Sequence, residues 1–325
     1  MRIVLAGTPA VAVPSLEALA ASGHELVGVV TRPDRPSGRG RRVGASAVGE
    51  AAAALGLQAL KPDRPGNAAF LDQLRAWRPD VVATVAYGAL LPESALTIPP
   101  HGWINLHFSL LPAWRGAAPV QRAIWAGDPI TGATTFQIVK ELDAGPVYGV
   151  VTYEVPPRAT SGQVLEALSF DGAKLLVATM DLVASGEARP EPQSLEGLSH
   201  APKVTVEEAR VDWNRPANAV DRQIRACTPS PGAWTTFRGK RLKVGPLAPP
   251  AASSPEHLLN DQRSGAVIGL KDRVLVRTAT ELVALGEVEP AGKGWMDAAA
   301  WARGVRVDSG DWNGRGWEGK ERFGE

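Results

Sequence analysis

The chain has 325 residues, of which 44% are hydrophobic and 21% charged, and its net charge is +1, so the composition as a whole is that of a globular protein and gives no sign of nucleic-acid binding. No apolar run is long enough to span a bilayer, and the opening MRIVLAGTPA lacks the basic and apolar regions of a signal peptide, so a cytoplasmic protein is expected. The single cysteine, Cys227, excludes an intrachain disulfide and a cysteine-rich metal site, and we interpret it as a core residue.

Strand and helix patterns alternate along the first half of the chain. A continuous apolar run predicts a buried strand at residues 3–6, and further strands are predicted at residues 26–30, 81–86, 104–106 and 134–139. Helical patterns lie at residues 16–21, 48–55, 70–77, 120–126 and 164–184. This alternation predicts an α/β fold with a mostly parallel sheet, and hence a Rossmann-like domain over residues 1–188.

The pattern changes after residue 188. Residues 189–207 are polar and rich in proline without a sustained period, which predicts a linker. A helix is predicted at residues 217–226, followed by short alternating runs at 233–237, 242–244, 265–268, 274–277 and 281–284. Short strands at this spacing predict a small OB-like β-barrel within a second domain, residues 208–325. The glycine-rich, charged tail at residues 307–325 is predicted to be mobile.

The turn after the first strand bears on what the α/β domain binds. A nicotinamide-dependent dehydrogenase needs a glycine-rich turn there, so that the backbone can approach a pyrophosphate. The turn reads GTPAVA, in which Gly7 is the only glycine and Pro9 removes an amide donor. A dinucleotide role is therefore disfavoured, although the site is still expected beyond the carboxyl ends of the strands.

Three polar residues form a candidate catalytic group. Asn105 and His107 are separated by one residue, so on an extended strand their side chains point to the same face, and Asp143 lies in the loop after the next strand. An Asn amide can stabilise an oxyanion, a His can move a proton near neutral pH, and an Asp can orient and balance that His. Together these residues suit the attack of an amine on a carbonyl. By residue type alone, an Asn-x-His pair is more often a strand end and an Asp before Gly a turn residue.

Longer strings in the chain point to a known family. They are the opening Gly-Thr-Pro turn, TRPDRPSGRGRRV, VAYGALLP, NLHFSLLPAWRGAAPVQRAIWAGD, ELDAGPVY and EARVDWNRPANAVDRQIRACTPSPGAW. With them, nearly the whole chain resembles the folate-dependent formyltransferases, and its second half resembles the members that act on methionyl-tRNA. The resemblance implies transfer of a formyl group from 10-formyltetrahydrofolate to the amino group of methionine on initiator tRNA, by a monomer that needs no metal.

The resemblance also implies roles for particular residues. Those that match the catalytic trio of the family are Asn105, His107 and Asp143. Those that match its tetrahydrofolate-contacting segment are Ser109, Leu110, Leu111 and Pro112, with residues 87–91 as a neighbouring wall. Those in the loop that approaches the tRNA acceptor end are Arg39, Arg41 and Arg42. Phe108 is bulkier than the residue that many relatives carry, and alternation from His107 predicts that its side chain points away from the pocket.

Two basic stretches allow two interpretations. Five arginines stand against one acid between Arg32 and Arg42, and eight basic residues against two acids between Arg210 and Lys243. Each stretch is either a solvated surface or a phosphate-binding surface, and the resemblance favours tRNA. Trp213 and Trp234 are predicted to be core residues rather than platforms for bases.

Other functions remain as alternatives at this stage. They are a different amine formyltransferase, a 10-formyltetrahydrofolate hydrolase-like enzyme, and a non-catalytic tRNA-binding protein. A purine-pathway transformylase would match the first domain only, a formyltetrahydrofolate dehydrogenase would need a further oxidoreductase domain, and the intact trio argues against a non-catalytic protein.

Overall fold

A computed structural model describes residues 1–37, 42–249, 263–307 and 322–324. The chain forms two compact units that are interleaved in sequence. The first unit comprises Met1–Pro119, Ile130–Glu154 and Val164–Pro202, and the second comprises Val120–Pro129, Val155–Gln163 and Lys203–Glu325. The predicted linker therefore contributes residues 189–202 to the first unit.

The elements up to residue 202 mostly alternate between strand and helix, as predicted, apart from two runs of consecutive strands. In chain order they are β1 (Arg2–Gly7), α1 (Val13–Ala20), β2 (Glu25–Val30), β3 (Arg35–Ser37), β4 (Arg42–Gly44), α2 (Ala47–Ala54), β5 (Ala59–Leu60), α3 (Ala68–Trp77), β6 (Val81–Val85), α4 (Glu93–Leu96), β7 (Trp103–His107), α5 (Pro119–Ala126), β8 (Ile130–Gln137), β9 (Val147–Glu154) and α6 (Ser161–Ser185). In the described part of the chain, no helix is both long and apolar enough to cross a bilayer.

A seven-stranded sheet forms the centre of the first unit, in the order β5-β2-β1-β6-β7-β8-β9. The five strands from β5 to β7 pair in parallel, whereas β7–β8 and β8–β9 pair antiparallel. The prediction of a mostly parallel sheet is confirmed. Strands β1 and β6 are apolar because both of their faces are covered, and every residue of β6 is buried.

Two local signals begin helices on this sheet. The Ser46 hydroxyl accepts a hydrogen bond of 3.0 Å from the Gly49 amide at the start of α2, and the Asn67 side chain accepts one of 3.2 Å from the Ala69 amide at the start of α3. Each cap satisfies an amide that the helix itself leaves unpaired. The helices thus begin where the chain returns from the carboxyl end of a strand.

The second unit is rich in antiparallel β-structure, as predicted. Its further elements are α7 (Ala217–Ala226), β10 (Trp234–Phe237), β11 (Lys240–Val244), β12 (Val267–Gly269), β13 (Val274–Arg277), β14 (Leu282–Ala284), β15 (Glu287–Pro290), β16 (Met296–Asp297) and α8 (Ala298–Val305). They form a four-stranded sheet, β10-β11-β15-β16, and a three-stranded sheet, β12-β13-β14. Cys227 is fully buried, and burial raises the pKa of its thiol to about 12, which fits a core residue.

The last described residues, 322–324, pack within the second unit. Phe323 is 5% exposed, and its ring centroid lies 5.6 Å from that of Trp213, 5.8 Å from that of Phe237 and 6.1 Å from that of Trp301. Its amide donates a 2.8 Å hydrogen bond to the Gly265 carbonyl. The aromatic ring of Phe323 supplies the apolar surface that anchors these last described residues in the second unit. The rest of the predicted tail beyond residue 307 lies outside the described residues.

Candidate active site

A cavity of about 590 Å³ lies at the carboxyl ends of β6 and β7 in the first unit. Parallel strands bring the loops that follow them to one edge of a sheet, which is where an α/β fold binds its ligands. The lining is mostly apolar and includes residues 86–91, residues 105–108, residues 138–143, Thr84, Gly116, Ala117, Pro119 and Phe136. The expected position of the site is therefore found, and Asn105, His107 and Asp143 all line it.

Asn105 lies in the middle of the sheet on β7. It is in register with Thr84 on β6 and with Phe136 on β8, and it is half-buried. In the described part of the chain, no group hydrogen-bonds to its side-chain amide. Asn105 and His107 are two residues apart on one strand, so their side chains share a face of the sheet, as the sequence predicts, and both residues line the cavity.

His107 is held by a hydrogen bond at one ring nitrogen and faces a carboxylate at the other. Its Nε2 lies 2.9 Å from the Trp114 carbonyl oxygen, and its Nδ1 lies 3.8 Å from Asp143 Oδ2. A carbonyl oxygen only accepts hydrogen bonds, so Nε2 carries the proton of the neutral ring and Nδ1 carries the lone pair. The edge of the ring also packs on Phe136, with centroids 6.3 Å apart. The fixed tautomer therefore turns the basic nitrogen of His107 towards Asp143.

The charge state of His107 follows from its burial. The side chain is 7% exposed, and burial lowers the pKa of the imidazole below its ordinary value of 6.5, against the opposing effects of the Asp143 carboxylate and the Trp114 carbonyl. The ring is consequently neutral at pH 7 in the free protein. A neutral His with a free Nδ1 lone pair can accept a proton, and Asp143 then stabilises the imidazolium.

This pKa can be measured. We expect the ring nitrogens of His107 to titrate below pH 6.5, because burial disfavours the charged ring, and to titrate at still lower pH in Asp143→Asn, because the carboxylate that favours the imidazolium is gone. Histidine side-chain ¹⁵N NMR between pH 4 and 8 reports both values, and His107→Gln assigns the resonance. A pKa that rises in Asp143→Asn would contradict the role of this carboxylate.

Asp143 is positioned by backbone and side-chain contacts together. It adopts a left-handed backbone conformation with φ of 48°, and its Oδ2 accepts a 2.8 Å hydrogen bond from the Gly116 amide. Gln193 Nε2 donates to the carbonyl oxygens of Asp143 (2.9 Å) and Gly145 (2.8 Å), and Arg115 Nη2 donates to Gln193 Oε1 (2.6 Å). A residue from the predicted linker thus holds the loop that carries Asp143.

Gly116 is a site residue that sequence reasoning missed. Its φ is +127°, and a Cβ at this position would lie 2.7 Å from the Ala201 carbonyl oxygen. A side chain would therefore displace the amide that binds Asp143. The signal was present in the Trp-Arg-Gly string at residues 114–116, but nothing local indicates that a glycine there serves a carboxylate 27 residues further along the chain.

The predicted tetrahydrofolate-contacting segment lies beside the cavity. Ser109, Leu110, Leu111 and Pro112 are not among its lining residues, whereas residues 87–91 of the predicted neighbouring wall are. Ser109 is fully buried, and its hydroxyl donates to the Ala113 carbonyl at 2.6 Å. Thr134 Oγ1 donates to the Ser109 carbonyl at 2.7 Å and accepts from the Leu111 amide at 3.2 Å. The segment is thereby fixed to β8 next to the site.

Two aromatic residues complete the lining. Phe108 is buried and lies among the lining residues, directly after the end of β7 at His107. That its side chain points away from the pocket stays a prediction. Tyr87 is 2% exposed, and burial raises the pKa of its phenol, with the nearby Arg32 acting in the opposite direction. The cavity therefore offers apolar walls with a few polar groups, as small-molecule sites do.

The basic loop between Arg32 and Arg42 is described in part. Its flanks form an antiparallel pair in which Arg35 is in register with Gly44 and Ser37 with Arg42. Arg42 thus lies on β4, whereas Arg39 and Arg41 lie outside the described residues. The loop follows the carboxyl end of β2, on the edge of the sheet where the cavity is found.

The basic group of the second unit is arranged around Trp234. This residue is half-buried rather than a core residue, and the guanidinium carbons of Arg241 and Arg210 lie 4.2 Å and 5.6 Å from its ring centroid. Trp213, in contrast, is 3% exposed and belongs to the core. Lys243 pairs with Glu289 at 2.6 Å. The stacking holds two exposed arginines in fixed positions on this surface.

Similar proteins were found for both halves of the chain. Residues 1–180 match the family described as formyl transferase, and residues 203–306 match the formyl transferase C-terminal domain. A methionyl-tRNA formyltransferase from Nocardioides sp. is 58% identical over 310 residues, which are 95% of this chain and 97% of that protein. Another from Thermobifida fusca is 59% identical over 311 residues, 96% of this chain and 98% of that protein.

A solved structure shares the fold. HypX from Aquifex aeolicus, in complex with tetrahydrofolic acid, superposes with a TM-score of 0.64 at 18% identity, over 93% of this chain and 46% of that chain. Within the residues described, no group of three or more His, Cys, Asp or Glu side chains is placed to hold a metal ion.

Proposed function

Because the chain belongs to the formyl transferase family, we propose that it transfers a formyl group from 10-formyltetrahydrofolate to the amino group of methionine on initiator methionyl-tRNA, for translation initiation in the cytoplasm. The observation that carries this function is the match over 95% of the chain, at 58% identity, to a relative of that name. A match to the first domain alone would leave the acceptor open. Here the second domain matches as well.

The cavity suits the formyl donor. Its volume of about 590 Å³ and its mostly apolar lining fit a flat ring system, and the unpartnered Asn105 amide can bind a polar group of a ligand. The donor supplies a formyl group that is already activated on nitrogen. We assign the ring system to this cavity, with Ser109, Leu110, Leu111 and Pro112 as the segment that supports the donor from beside it.

His107 moves the proton in this mechanism. As the methionine amine attacks the formyl carbon, it loses a proton to the Nδ1 lone pair of His107. Asp143, 3.8 Å from that nitrogen, stabilises the imidazolium. The same proton then passes to the folate nitrogen as its bond to the formyl carbon breaks, so the transfer consumes and releases no net proton. The hydrogen bond to Trp114 keeps the ring in the tautomer that this step needs.

Asn105 stabilises the negative charge that develops on the formyl oxygen. Its amide lies on the same face of β7 as His107, and the described residues leave its N–H groups unpaired. A donor held on a buried strand needs little reorganisation when the charge appears. Asn105, His107 and Asp143 then act as oxyanion donor, base and counter-charge.

The tRNA is bound by basic residues of both units. Arg39, Arg41 and Arg42, in the loop after β2, contact the phosphates near the acceptor end. In the second unit, Arg210 and Arg241 stack on Trp234 and present their guanidinium groups to the phosphate backbone. We expect the protein to act as a monomer, which size-exclusion chromatography with light scattering measures.

The basic loop can be tested through the salt dependence of tRNA binding. In the triple variant with Arg39, Arg41 and Arg42 replaced by alanine, we expect weaker tRNA binding. The slope of log affinity against log salt concentration should be smaller in magnitude by about two to three, because a protein with fewer phosphate contacts releases fewer counterions on binding. Affinity for a folate analogue stays within twofold. Three exposed basic residues elsewhere on the first unit, Arg75, Arg78 and Lys174, provide the matched triple control. An unchanged slope would make the loop a solvated connection.

A formylation assay tests the function itself. Purified protein and 10-formyltetrahydrofolate are combined with charged initiator methionyl-tRNA, with free methionine, with other small amines, or with no acceptor. We expect rapid formylation of the charged tRNA and slow reaction otherwise. Equal rates with small amines would indicate another amine formyltransferase. Loss of the formyl donor without any acceptor would indicate a hydrolase. Binding of tRNA without turnover would indicate a non-catalytic protein.

A further inference from the structure

Thr84 carries a buried hydroxyl to which no described residue hydrogen-bonds. It is the only polar residue of β6, is 5% exposed, and its Oγ1 has no hydrogen-bond partner in the described part of the chain. Leaving a buried hydroxyl unpaired destabilises the folded protein. Valine has the same shape and would fill the same space in this aliphatic strand without that cost. We therefore expect the hydroxyl to have a hydrogen-bond partner in some state of the protein.

The position of Thr84 identifies that partner. Thr84 is in register with Asn105 on the neighbouring strand β7, and residues in register point to the same face of a sheet. Both residues line the cavity. The Thr84 oxygen is itself fully covered, so a neighbouring side chain reaches it more readily than a ligand does. Thr84 and Asn105, whose side chains have no hydrogen-bond partner among the described residues, are thus neighbours on adjacent strands.

We propose that Thr84 is a positioning residue, whose hydroxyl donates a hydrogen bond to Asn105 Oδ1 when the formyl donor occupies the cavity. An unpaired amide can turn by 180° and present its oxygen, which would repel the developing oxyanion. A donor on its oxygen side keeps the N–H groups turned towards the formyl oxygen. The proposal rests on the proposed function, because the geometry matters only if Asn105 stabilises that oxygen.

A second threonine supplies the matched control. Thr131 on β8 is 3% exposed, and its hydroxyl also lacks a partner among the described residues, but it does not line the cavity. If Thr84 is only a core residue, Thr84→Val and Thr131→Val behave alike. If Thr84 positions Asn105, both changes leave the melting temperature unchanged or higher, and only Thr84→Val impairs the reaction.

The test is a double-mutant cycle in kcat. We expect Thr84→Val to lower kcat about tenfold, the size of one lost hydrogen bond, with KM for the formyl donor within twofold. Thr84→Ser, which keeps the hydroxyl, retains most of the wild-type kcat, and Thr131→Val retains all of it. In an Asn105→Ala background, Thr84→Val has no further effect. Wild-type kcat in Thr84→Val, or an equal loss in both backgrounds, would overturn the proposal.

A second measurement does not depend on turnover. The side-chain NH₂ resonances of Asn105, observed by ¹H–¹⁵N NMR with a bound folate analogue, are expected to shift in Thr84→Val and to stay unchanged in Thr131→Val. Unchanged resonances in Thr84→Val would also refute the contact. A wild-type protein that binds the analogue but formylates no acceptor would overturn the proposed function, while this spectrum would still decide whether Thr84 contacts Asn105.

Discussion

Replacement of His107 by alanine is expected to lower kcat for formyl transfer about a thousandfold, the usual contribution of a positioned acid–base group. The reason is specific: Nδ1 is the only basic nitrogen of a ring whose other nitrogen is committed to the Trp114 carbonyl. Asp143→Asn is expected to lose most of the activity as well, because the imidazolium then forms without a counter-charge. Single-turnover formylation of charged tRNA measures both effects.

Two further variants separate chemistry from folding. His107→Gln keeps an amide that can donate to the Trp114 carbonyl but removes the titrating nitrogen, so its activity should be as low as that of the alanine variant. His24 is an equally buried histidine, 6% exposed and 3.1 Å from the Asp181 carboxylate, but it lies outside the cavity. His24→Gln should retain its turnover. Formylation by His107→Gln within tenfold of wild type would remove His107 from the mechanism.

The second large effect is expected for Asn105. Asn105→Ala removes a donor to the developing oxyanion and should lower kcat by about 10²–10³-fold. Asn105→Asp has the same shape and places a carboxylate beside that oxygen, so its activity should be lower still. The donor binds through the apolar walls of the cavity, and the affinity of Asn105→Ala for a folate analogue should therefore stay within a few fold of wild type.

The relative activities of Asn105→Ala and Asn105→Asp test the role of the amide. If the amide acts only by filling space, aspartate would be tolerated better than alanine. An activity of Asn105→Asp above that of Asn105→Ala would thus contradict the assignment of Asn105 as an oxyanion donor. Thermal melting of both variants shows whether the sheet around β7 is retained.

Much of the fold could be predicted from sequence because its signals are local. The helix α7 and the strand β13 have the predicted bounds, since the first has a helical apolar period and the second a short β-branched run between turns. Strand β9 was not predicted, because its residues are only partly covered and its pattern is weak. Helix α8 and the short strands β15 and β16 were also missed.

The chemical group of the site was predictable for a related reason. Asn105 and His107 share a face whatever the rest of the chain does, because strand periodicity sets it. The Asp143 loop was placed correctly after β8. The sequence string around Asn105 and His107 resembles the folate-dependent formyltransferases, and this resemblance indicated a catalytic role that periodicity alone does not. The direction of the Phe108 side chain rests on extending the strand alternation past the end of β7, and it stays a prediction.

By itself, the sequence determined the alternation of elements, the change of pattern after residue 188 and the residue types able to act on a formyl group. Only the tertiary structure decided that residues 189–202 belong to the first unit, where Gln193 fixes the loop of Asp143 and Ala201 requires a glycine at residue 116. It also decided the tautomer of His107. Periodicity and turn chemistry act over a few residues, whereas the contacts of Gln193 with Asp143 and of Ala201 with Gly116 join residues 50 and 85 positions apart, and only packing determines which distant groups meet.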